Sequence, residues 1–302
     1  MPRSTDVARH VLAAEFLLLS LAWGTAFALI SVALADFTPF QVVWCRLVLG
    51  AAALVSYALV RRQPVVVAPH LLGHIGVLAM LMCVIPFSLY AHAELRVPSH
   101  MAIILNATTP LVTTVFVYAT KGGADGARPK FPALATSFCG VVVIAAPWRL
   151  NTSFQDWSAV AQCLAAVCCY AGGFTYLHWC TALRGADIGS ISTSLVVAGA
   201  AVMLLFTPLV ARSFPQAGTA AWASVVILGT VGTGFAYLWN TRLILAWGAA
   251  RASSVTYVMP CVGMVFGSLF LAETITWNGI AGTALVTLGW LMSRPARGQA
   301  VL

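Results

Sequence analysis

Ten apolar stretches of about 20 residues follow one another along the chain, separated only by short breaks. A helix of about 20 residues rises about 30 Å, the thickness of the hydrocarbon core of a bilayer. The breaks carry charge or turn formers, as in Arg61-Arg62-Gln63-Pro64, and none is long enough for a soluble domain. The stretches lie near residues 11–34, 39–60, 71–92, 98–119, 131–148, 157–179, 189–211, 221–243, 250–271 and 275–293. This pattern predicts an all-α integral membrane protein with ten transmembrane helices.

The composition leaves too little polar surface for a water-soluble globule. Only 8% of the 302 residues carry charge, against about 25% in a typical soluble domain, and 61% are apolar. The eight cysteines lie within apolar stretches and form no C-x-x-C pair, so we expect no disulfide framework, no metal site and no cofactor.

The positive charges predict how the spans are oriented. If the stretches alternate across the bilayer, 12 of the 16 Lys and Arg residues lie on the side of the N-terminus, three lie on the other side, and Arg46 lies inside a span. Positive loops stay in the cytoplasm, so both termini are expected there. The net charge of +8 is thus explained by topology and does not favour a nucleic-acid partner. A secretory signal peptide is the alternative for the N-terminus, but the first apolar run is longer than roughly 7 to 15 residues and contains Glu15.

The second half of the chain echoes the first at a spacing near 150 residues. Trp23 to Phe27 matches Tyr170 to Phe174, with an aromatic residue and a Phe four positions apart and small residues between them. Asn106 to Pro110 matches Thr256 to Pro260, and each ends in a proline near the middle of a stretch. Because five spans is an odd number, the second unit must cross the membrane in the opposite sense. The sequence therefore predicts two inverted five-helix repeats, residues 1–150 and 151–302, an arrangement typical of alternating access.

Several motifs agree with one family across nearly the whole chain. They are Trp23-Gly24 with Phe27, Pro39 followed by Arg46, Tyr237-Leu238-Trp239-Asn240 leading into residues 248–253, Pro260, and Leu271-Ala272-Glu273. The chain resembles the EamA-type branch of the drug/metabolite transporter (DMT) superfamily. By its length and aromatic content it is similar to the bacterial amino-acid exporters of the YddG kind. One departure is that Thr120-Lys121-Gly122-Gly123 stands where the family often carries a Glu in the first half, so Glu273 lacks a symmetric counterpart.

The resemblance implies a secondary transporter of the bacterial inner membrane, and not an enzyme. Its expected partners are a small-molecule substrate and the lipid bilayer, and its expected activity is export of amino acids, including apolar or aromatic ones. Export of drugs, nucleobases or other metabolites is the alternative. An intramembrane enzyme would need a nucleophile with a base or metal ligands, and no H-x-x-x-x-D, H-E-x-x-H or G-x-S-x-G arrangement occurs in the sequence. A channel would need a continuous polar stripe. Three glycines of the last stretch suit packing within the bundle or between copies, so a homodimer stays open.

Large aromatic residues and polar residues near the middle of the stretches are candidate substrate contacts. In a cavity, the rings would cover an apolar side chain and each donate one hydrogen bond. The amides and hydroxyls would line a polar path. Core packing and interhelical hydrogen bonding are the structural alternatives at every position. The predicted substrate-binding residues are Trp23, Asn106, Thr109, Tyr170, Tyr237, Trp239, Ser254 and Tyr257.

Prolines and glycines are candidate points of bending. Pro110 and Pro260 each remove a helix hydrogen bond, which predicts a freed carbonyl near mid-bilayer that would bind a ligand amine. A kink with packing value alone is the alternative. Gly24, Gly172 and Gly173 are the predicted pliable points of the first and sixth helices.

Arg46 is the cation placed deepest in the predicted spans. A charge at the bilayer centre costs roughly 2.5 to 3.5 kcal/mol, so Arg46 is expected to pair, snorkel or face water. The acids expected on its side are Asp36 and Glu273, and attraction of a substrate carboxylate is the alternative to pairing. Since the histidines lie near the ends of the stretches, the sequence favours facilitated or exchange transport over a proton-coupled mechanism.

Overall fold

A computed structural model describes residues 3–65, 67–97, 99–121, 131–145, 157–180, 183, 185–210, 216–270 and 277–293. Within these ranges the chain forms ten helices at the predicted stretches and no strand. Helix 1 spans Arg3–Gly24 and Ala26–Ala33, helix 2 Pro39–Val60, helix 3 Leu72–Ala79, Met80–Val84 and Ile85–Ala93, helix 4 Ser99–Asn106 and Thr109–Lys121, and helix 5 Phe131–Ala145. Helix 6 spans Trp157–Trp179, helix 7 Ile188–Leu205 and Thr207–Val210, helix 8 Thr219–Gly229, Thr230–Phe235 and Ala236–Trp247, helix 9 Ala249–Ala252 and Val255–Phe270, and helix 10 Trp277–Ser293.

Six of these helices, namely 1, 2, 3, 6, 7 and 8, are each long and apolar enough to cross a bilayer. Helices 4, 5 and 10 contribute shorter apolar segments. Helix 8 is the longest of the six, with 29 residues from Thr219 to Trp247, and it extends beyond the predicted stretch at both ends. It ends where Gly248 takes a left-handed φ of 83°, which glycine adopts without steric cost. The predicted fold class, an all-α membrane protein, is confirmed.

At two of the predicted breaks, a side chain caps the start of the next helix. The Thr38 hydroxyl accepts a hydrogen bond from the Gln41 backbone N–H, and the Gln41 side chain accepts one from the Thr38 N–H. Pro39 follows the cap at the first position of the helix. A proline is tolerated there because a backbone N–H at this position would have no acceptor within the helix. At the start of helix 7, the Asp187 carboxylate accepts from the Ser190 N–H. These caps fix where helices 2 and 7, the same member of each repeat, enter the bundle.

The packing of the helices shows the two-fold relation between the repeats. Helix 2 packs on helix 7 and helix 5 packs on helix 10. Helices 3 and 4 of the first repeat both pack on helix 6. Their counterparts in the second repeat, helices 8 and 9, both pack on helix 1, which is the counterpart of helix 6. Each of these contacts therefore recurs with the two repeats exchanged. The expected boundary near residue 150 lies outside the described residues.

The interruptions of the helices differ in part from the predicted ones. Helix 4 breaks at Ala107 and Thr108, before Pro110, which occupies the first turn of the next segment. A proline is tolerated there because first-turn N–H groups have no partner inside the helix. Pro260 instead lies inside the continuous segment Val255–Phe270. Helix 1 is interrupted at Thr25, next to the predicted pliable Gly24, whereas helix 6 runs unbroken through residues 172 and 173.

Candidate functional site

An open chamber lies between the two repeats; together with the open solvent at its mouth it spans about 480 Å³ of space free of protein atoms. Helices 1, 2, 3, 4, 6 and 9 each contribute side chains to it. Helix 8, which carries the predicted substrate contacts Tyr237 and Trp239, contributes none of its described side chains to the lining. The lining residues are Trp23, Ala26, Phe27, Ile30, Arg46, Phe87, Tyr90, Asn106, Thr109, Tyr170, Phe174, Thr256 and Met259.

Aromatic rings in contact with one another form much of the chamber wall. The Tyr90 ring meets Phe27 edge to face at 5.2 Å between centroids and stacks on Tyr170 at 6.2 Å. Tyr170 in turn lies 6.1 Å from Phe174. Such pairs add roughly 0.5 to 1.5 kcal/mol each beyond the area they bury. They make the chamber wall largely aromatic.

A small group of hydrogen bonds holds the polar part of the wall at the break in helix 4. The Tyr90 hydroxyl donates to Asn106 Oδ1 at 3.0 Å. The Thr109 hydroxyl donates to the Asn106 carbonyl oxygen, which is the oxygen that Pro110 leaves without its helical donor. The predicted freed carbonyl is thus formed, but Thr109 of the same helix already occupies it.

Arg46 enters the chamber from helix 2, and its side chain contacts three uncharged groups. Nε donates to Thr233 Oγ1 at 2.7 Å, and Nη2 donates to the Gly232 carbonyl at 3.2 Å. The guanidinium lies 3.7 Å from the centroid of the Phe87 ring, a cation–π contact. Helix 2 reaches helix 8 closely because Gly229 has no side chain: a Cβ there would lie 2.5 Å from Leu49 Cβ.

The acids expected to pair with Arg46 have other positions. The Asp36 carboxylate accepts a hydrogen bond from the Gly218 N–H at 2.8 Å. Glu273 lies outside the described residues. Among the residues that the structure describes, the ion pair found joins Glu15 to Arg242 and does not include Arg46.

The carbonyl that Arg46 contacts lies in a π-helical segment of helix 8, Thr230–Phe235. Trp23 Nε1 donates to the same Gly232 oxygen at 3.1 Å. Helix 3 contains a matching π-helical segment, Met80–Val84, and its Met82 carbonyl accepts from the Tyr237 hydroxyl. A wider turn loosens the regular bonding of the helix, which makes such carbonyls available to side chains of neighbouring helices.

Contacts between helices of the two repeats join the bundle on the side where helix 1 begins. Glu15 of helix 1 forms its ion pair with Arg242 of helix 8, and the Phe16 ring lies 5.8 Å from the Trp247 ring. His178 Nδ1 lies 3.1 Å from the Ile244 carbonyl oxygen, which links helices 6 and 8. The helix 1 residues that line the chamber run from position 23 to position 30, so the chamber lies in the opposite half of the bundle.

Glu94 directly follows helix 3, outside the membrane-spanning segment. Its Oε2 accepts from the Ser99 hydroxyl at 3.3 Å, while Oε1 is buried with no hydrogen-bond partner in the described part of the chain. Burial raises the pKa of the Glu94 carboxyl well above its ordinary value, although the Ser99 hydrogen bond and the charge of Arg46 act to lower it.

Four of the eight predicted substrate-binding residues line the chamber: Trp23, Asn106, Thr109 and Tyr170. Tyr237 lies directly behind the wall, with its ring 6.2 Å from both Trp23 and Phe87. The other three lie away from the lining. The Ser254 hydroxyl donates to the Arg251 carbonyl, the Trp239 ring stacks near Phe235, and Tyr257 is buried with no described partner for its hydroxyl.

Sequence reasoning missed the aromatic residues of helix 3. Phe87 and Tyr90 are three positions apart and so face the same side of the helix, but many apolar residues of that stretch share this spacing. Phe27 and Phe174 belong to the repeat motif that was found, and the motif itself was the signal for them. Thr256, which also lines the chamber, is the first residue of the matched motif in helix 9.

Two segments of the chain, residues 11–146 and 157–294, match the model of the EamA-like transporter family. The chain is 23% identical over 278 residues to the uncharacterized transporter YoaV of Bacillus subtilis (strain 168), covering 91% of this chain and 93% of that protein. It is 22% identical over 280 residues to the uncharacterized inner membrane transporter YedA of Escherichia coli (strain K12), covering 88% and 87%. A crystal structure with 16% sequence identity matches the fold with a TM-score of 0.77 over 94% of this chain and 96% of its own.

Proposed function

Since this chain belongs to the EamA-like transporter family, we propose that it exports small metabolites by alternating access, and that its cargo is amino acids with apolar or aromatic side chains. The observation that carries the proposal is the chamber lined by both repeats, in which ring faces and a few polar groups converge. A small apolar molecule with one polar end fits such a lining, because rings cover the apolar part and fixed polar groups orient the rest.

Alternating access needs two arrangements of similar energy, and paired repeats supply them. If the repeats exchange conformations, the contacts that close one side form on the other. The contacts among helices 1, 6 and 8 on the side of the N-terminus support a state that is closed there and in which the chamber is reached from the opposite side. We place both termini in the cytoplasm, in a bacterial inner membrane, because most positive charges lie on their side.

Counterflow in proteoliposomes tests the proposal. Vesicles that hold unlabelled L-phenylalanine should accumulate labelled L-phenylalanine transiently above its external concentration. A carrier shows this stimulation from the far side, whereas a channel does not, and an enzyme would change the ligand chemically. The same assay with L-leucine and L-tryptophan sets the range of side chains. Absence of counterflow for all three amino acids would reject amino acids as the cargo.

Two variants connect the counterflow to the chamber. Trp23→Ala removes a lining ring and should weaken the apparent affinity several-fold. Trp277→Ala removes an exposed ring of helix 10, which is not part of the lining, and should leave affinity unchanged. Equal effects of the two substitutions would show that the chamber is not the substrate site.

Reporter fusions at the C-terminus test the orientation. A fluorescent protein fused after Leu302 should be fluorescent, and alkaline phosphatase fused at the same point should be inactive, since both would lie in the cytoplasm. The reverse pattern would place the C-terminus outside.

A further inference from the structure

We propose that Arg46 is the anchor for a carboxylate of the cargo, so that the chamber selects apolar or aromatic carboxylates and excludes organic cations. This inference rests on the proposed function, because it assigns the chemistry of recognition to the same chamber. It goes further in one respect: the carboxylate is required, whereas an amino group is only tolerated.

The first step is that Arg46 carries a charge with no countercharge in contact. The residue is 6% exposed, lies within a membrane-spanning helix and lines the chamber. Its described partners are a hydroxyl, a carbonyl and a ring. Glu94 influences Arg46 through its charge, but among the described residues it forms no ion pair with it. A cation held in apolar surroundings without an anion is strongly disfavoured. A ligand anion would supply the negative charge that the chamber wall lacks.

The second step is that the guanidinium is already oriented. Helix 8 fixes it through Thr233 and Gly232, and the Phe87 ring supports its flat face. Nη1 donates to no acceptor in the described part of the protein. A planar guanidinium presents its N–H groups as a fixed fork that matches the two oxygens of a carboxylate. Because the side chain is held in place before the ligand arrives, little freedom is lost on binding.

The third step concerns what surrounds the anchor. Of the 13 lining residues, six are aromatic and none is acidic. An ammonium group would therefore meet ring faces and uncharged acceptors such as those of Asn106 and Thr256, while Arg46 would repel it. A carboxylate gains a full charge partner, and the rings accept the apolar remainder of the molecule. The lining thus favours anionic over cationic aromatic ligands.

A structural role for Arg46 predicts a different result. If its only task were to tie helix 2 to helix 8 through Thr233 and Gly232, substitution would lower stability and leave ligand preference unchanged. The test must therefore compare ligands that differ only at the polar end, and follow the preference and not the activity alone.

Binding of four related ligands to the purified wild-type protein is the first measurement. L-Phenylalanine and 3-phenylpropionate carry the carboxylate, 3-phenylpropionamide replaces it with a neutral amide, and phenethylamine carries only a cation. The two carboxylates should bind with similar affinity. The amide and the amine should bind about ten-fold or more weakly, as expected when a hydrogen bond to a charged group is lost. Equal binding of phenethylamine and 3-phenylpropionate would overturn the inference and leave transport itself in place.

Variants of Arg46 give the second measurement. Arg46→Gln should bind the acid and its amide equally, since the preference for charge has gone. Arg46→Lys keeps the charge but lacks the planar guanidinium, so it should retain part of the preference. It provides a second test if the glutamine variant does not fold. Arg61→Gln makes the same change at an exposed residue at the end of helix 2 and should keep the wild-type order. An Arg46→Gln protein that still prefers the acid would refute the anchor. Failure of every ligand to bind would reject the proposed cargo as a whole.

Discussion

The carbonyl oxygens of Met82 and Gly232 lie 150 residues apart, at matching points of the two repeats, and each accepts a hydrogen bond from the opposite repeat. Met82 accepts from Tyr237, while Gly232 accepts from Trp23 and Arg46. Both carbonyls belong to π-helical segments, whose wider turn makes them available. The two repeats are therefore joined reciprocally next to the chamber, at points where a change of bonding would accompany any exchange of their conformations.

Removing the Tyr237 hydroxyl tests the strength of this link. Tyr237→Phe keeps the ring contacts with Trp23 and Phe87 and removes the hydroxyl that donates to Met82. The free energy of unfolding in detergent should fall by roughly 0.6 to 2 kcal/mol, the range for hydrogen bonds between membrane helices. Tyr57→Phe is the control, because no partner of the Tyr57 hydroxyl is found among the described residues. Equal stability of the two variants would show that the link contributes nothing.

Two adjacent glycines of helix 6 allow a matched test of packing against bending. A Cβ on Gly173 would lie 2.4 Å from Met82 Cγ, whereas one on Gly172 would lie 3.6 Å from Phe116 Cε1, an ordinary contact. Gly173→Ala should destabilise the protein by about 1 to 3 kcal/mol through overpacking. Gly172→Ala should be neutral or stabilise by up to about 1 kcal/mol. Chemical unfolding of both variants in one detergent measures the difference.

The same pair tests the prediction that these glycines are pliable points. Helix 6 is continuous through them in this state, so bending would occur only during transport. If residue 172 is such a point, Gly172→Ala should slow counterflow while its stability is kept. A counterflow rate equal to wild type would assign Gly172 to the straight part of the helix.

The positions of the helices were predictable because the bilayer sets the length of each apolar run. Helices 2 and 6 begin and end where their stretches do, and Thr38 with Pro39 marks one start by its chemistry. The π-helical segments were not predictable. A wider turn depends on which carbonyl each N–H selects, and the side chains around Met82 carry no signal for it.

The chamber could be predicted only in part, for a reason that applies to membrane helices generally. In a soluble helix the polar side marks the direction of the solvent, but here both lipid and interior are apolar. Trp23 and Tyr170 were found because the repeat marks them. Ser254 and Tyr257 were chosen by the same polar character and position, yet the residues of helix 9 that line the chamber are Thr256 and Met259.

The buried carboxyl of Glu94 predicts a pH dependence of stability. Its folded-state pKa is raised by burial, so the folded protein binds the proton more tightly than the unfolded chain does. The stabilising contribution of the protonated form is complete below the ordinary glutamate pKa and is lost as pH rises through the raised value. Glu94→Gln imitates the neutral form. The variant should match wild type near pH 4.5 and become progressively more stable than wild type towards pH 8, measured by thermal unfolding. A difference that does not change with pH would contradict the buried charge.

The ion pair between Glu15 and Arg242 should hold the closed side of the bundle. The Glu15 side chain is 9% exposed and that of Arg242 is 37% exposed, so solvent screens the pair only in part. Glu15→Gln should cost roughly 1 to 3 kcal/mol, less than the roughly 3 to 5 kcal/mol of a fully buried pair. In a double-mutant cycle, Glu15→Gln with Arg242→Gln should cost clearly less than the two single changes added together, because each single change leaves a charge without its partner.

The ion pair joins helix 1 of one repeat to helix 8 of the other, so a role in gating can be tested separately from its role in stability. The closed side must open for cargo to enter from the N-terminal side, and the pair must then separate. Weakening it lowers the free energy needed for that opening. Glu15→Gln should therefore change the counterflow rate, and it should speed exchange if this opening limits the cycle. Arg61→Gln, which removes an exposed charge on the same side, should leave the rate unchanged. If Glu15→Gln destabilises the protein but exchanges at the wild-type rate, the pair is a structural contact and other groups hold the closed side.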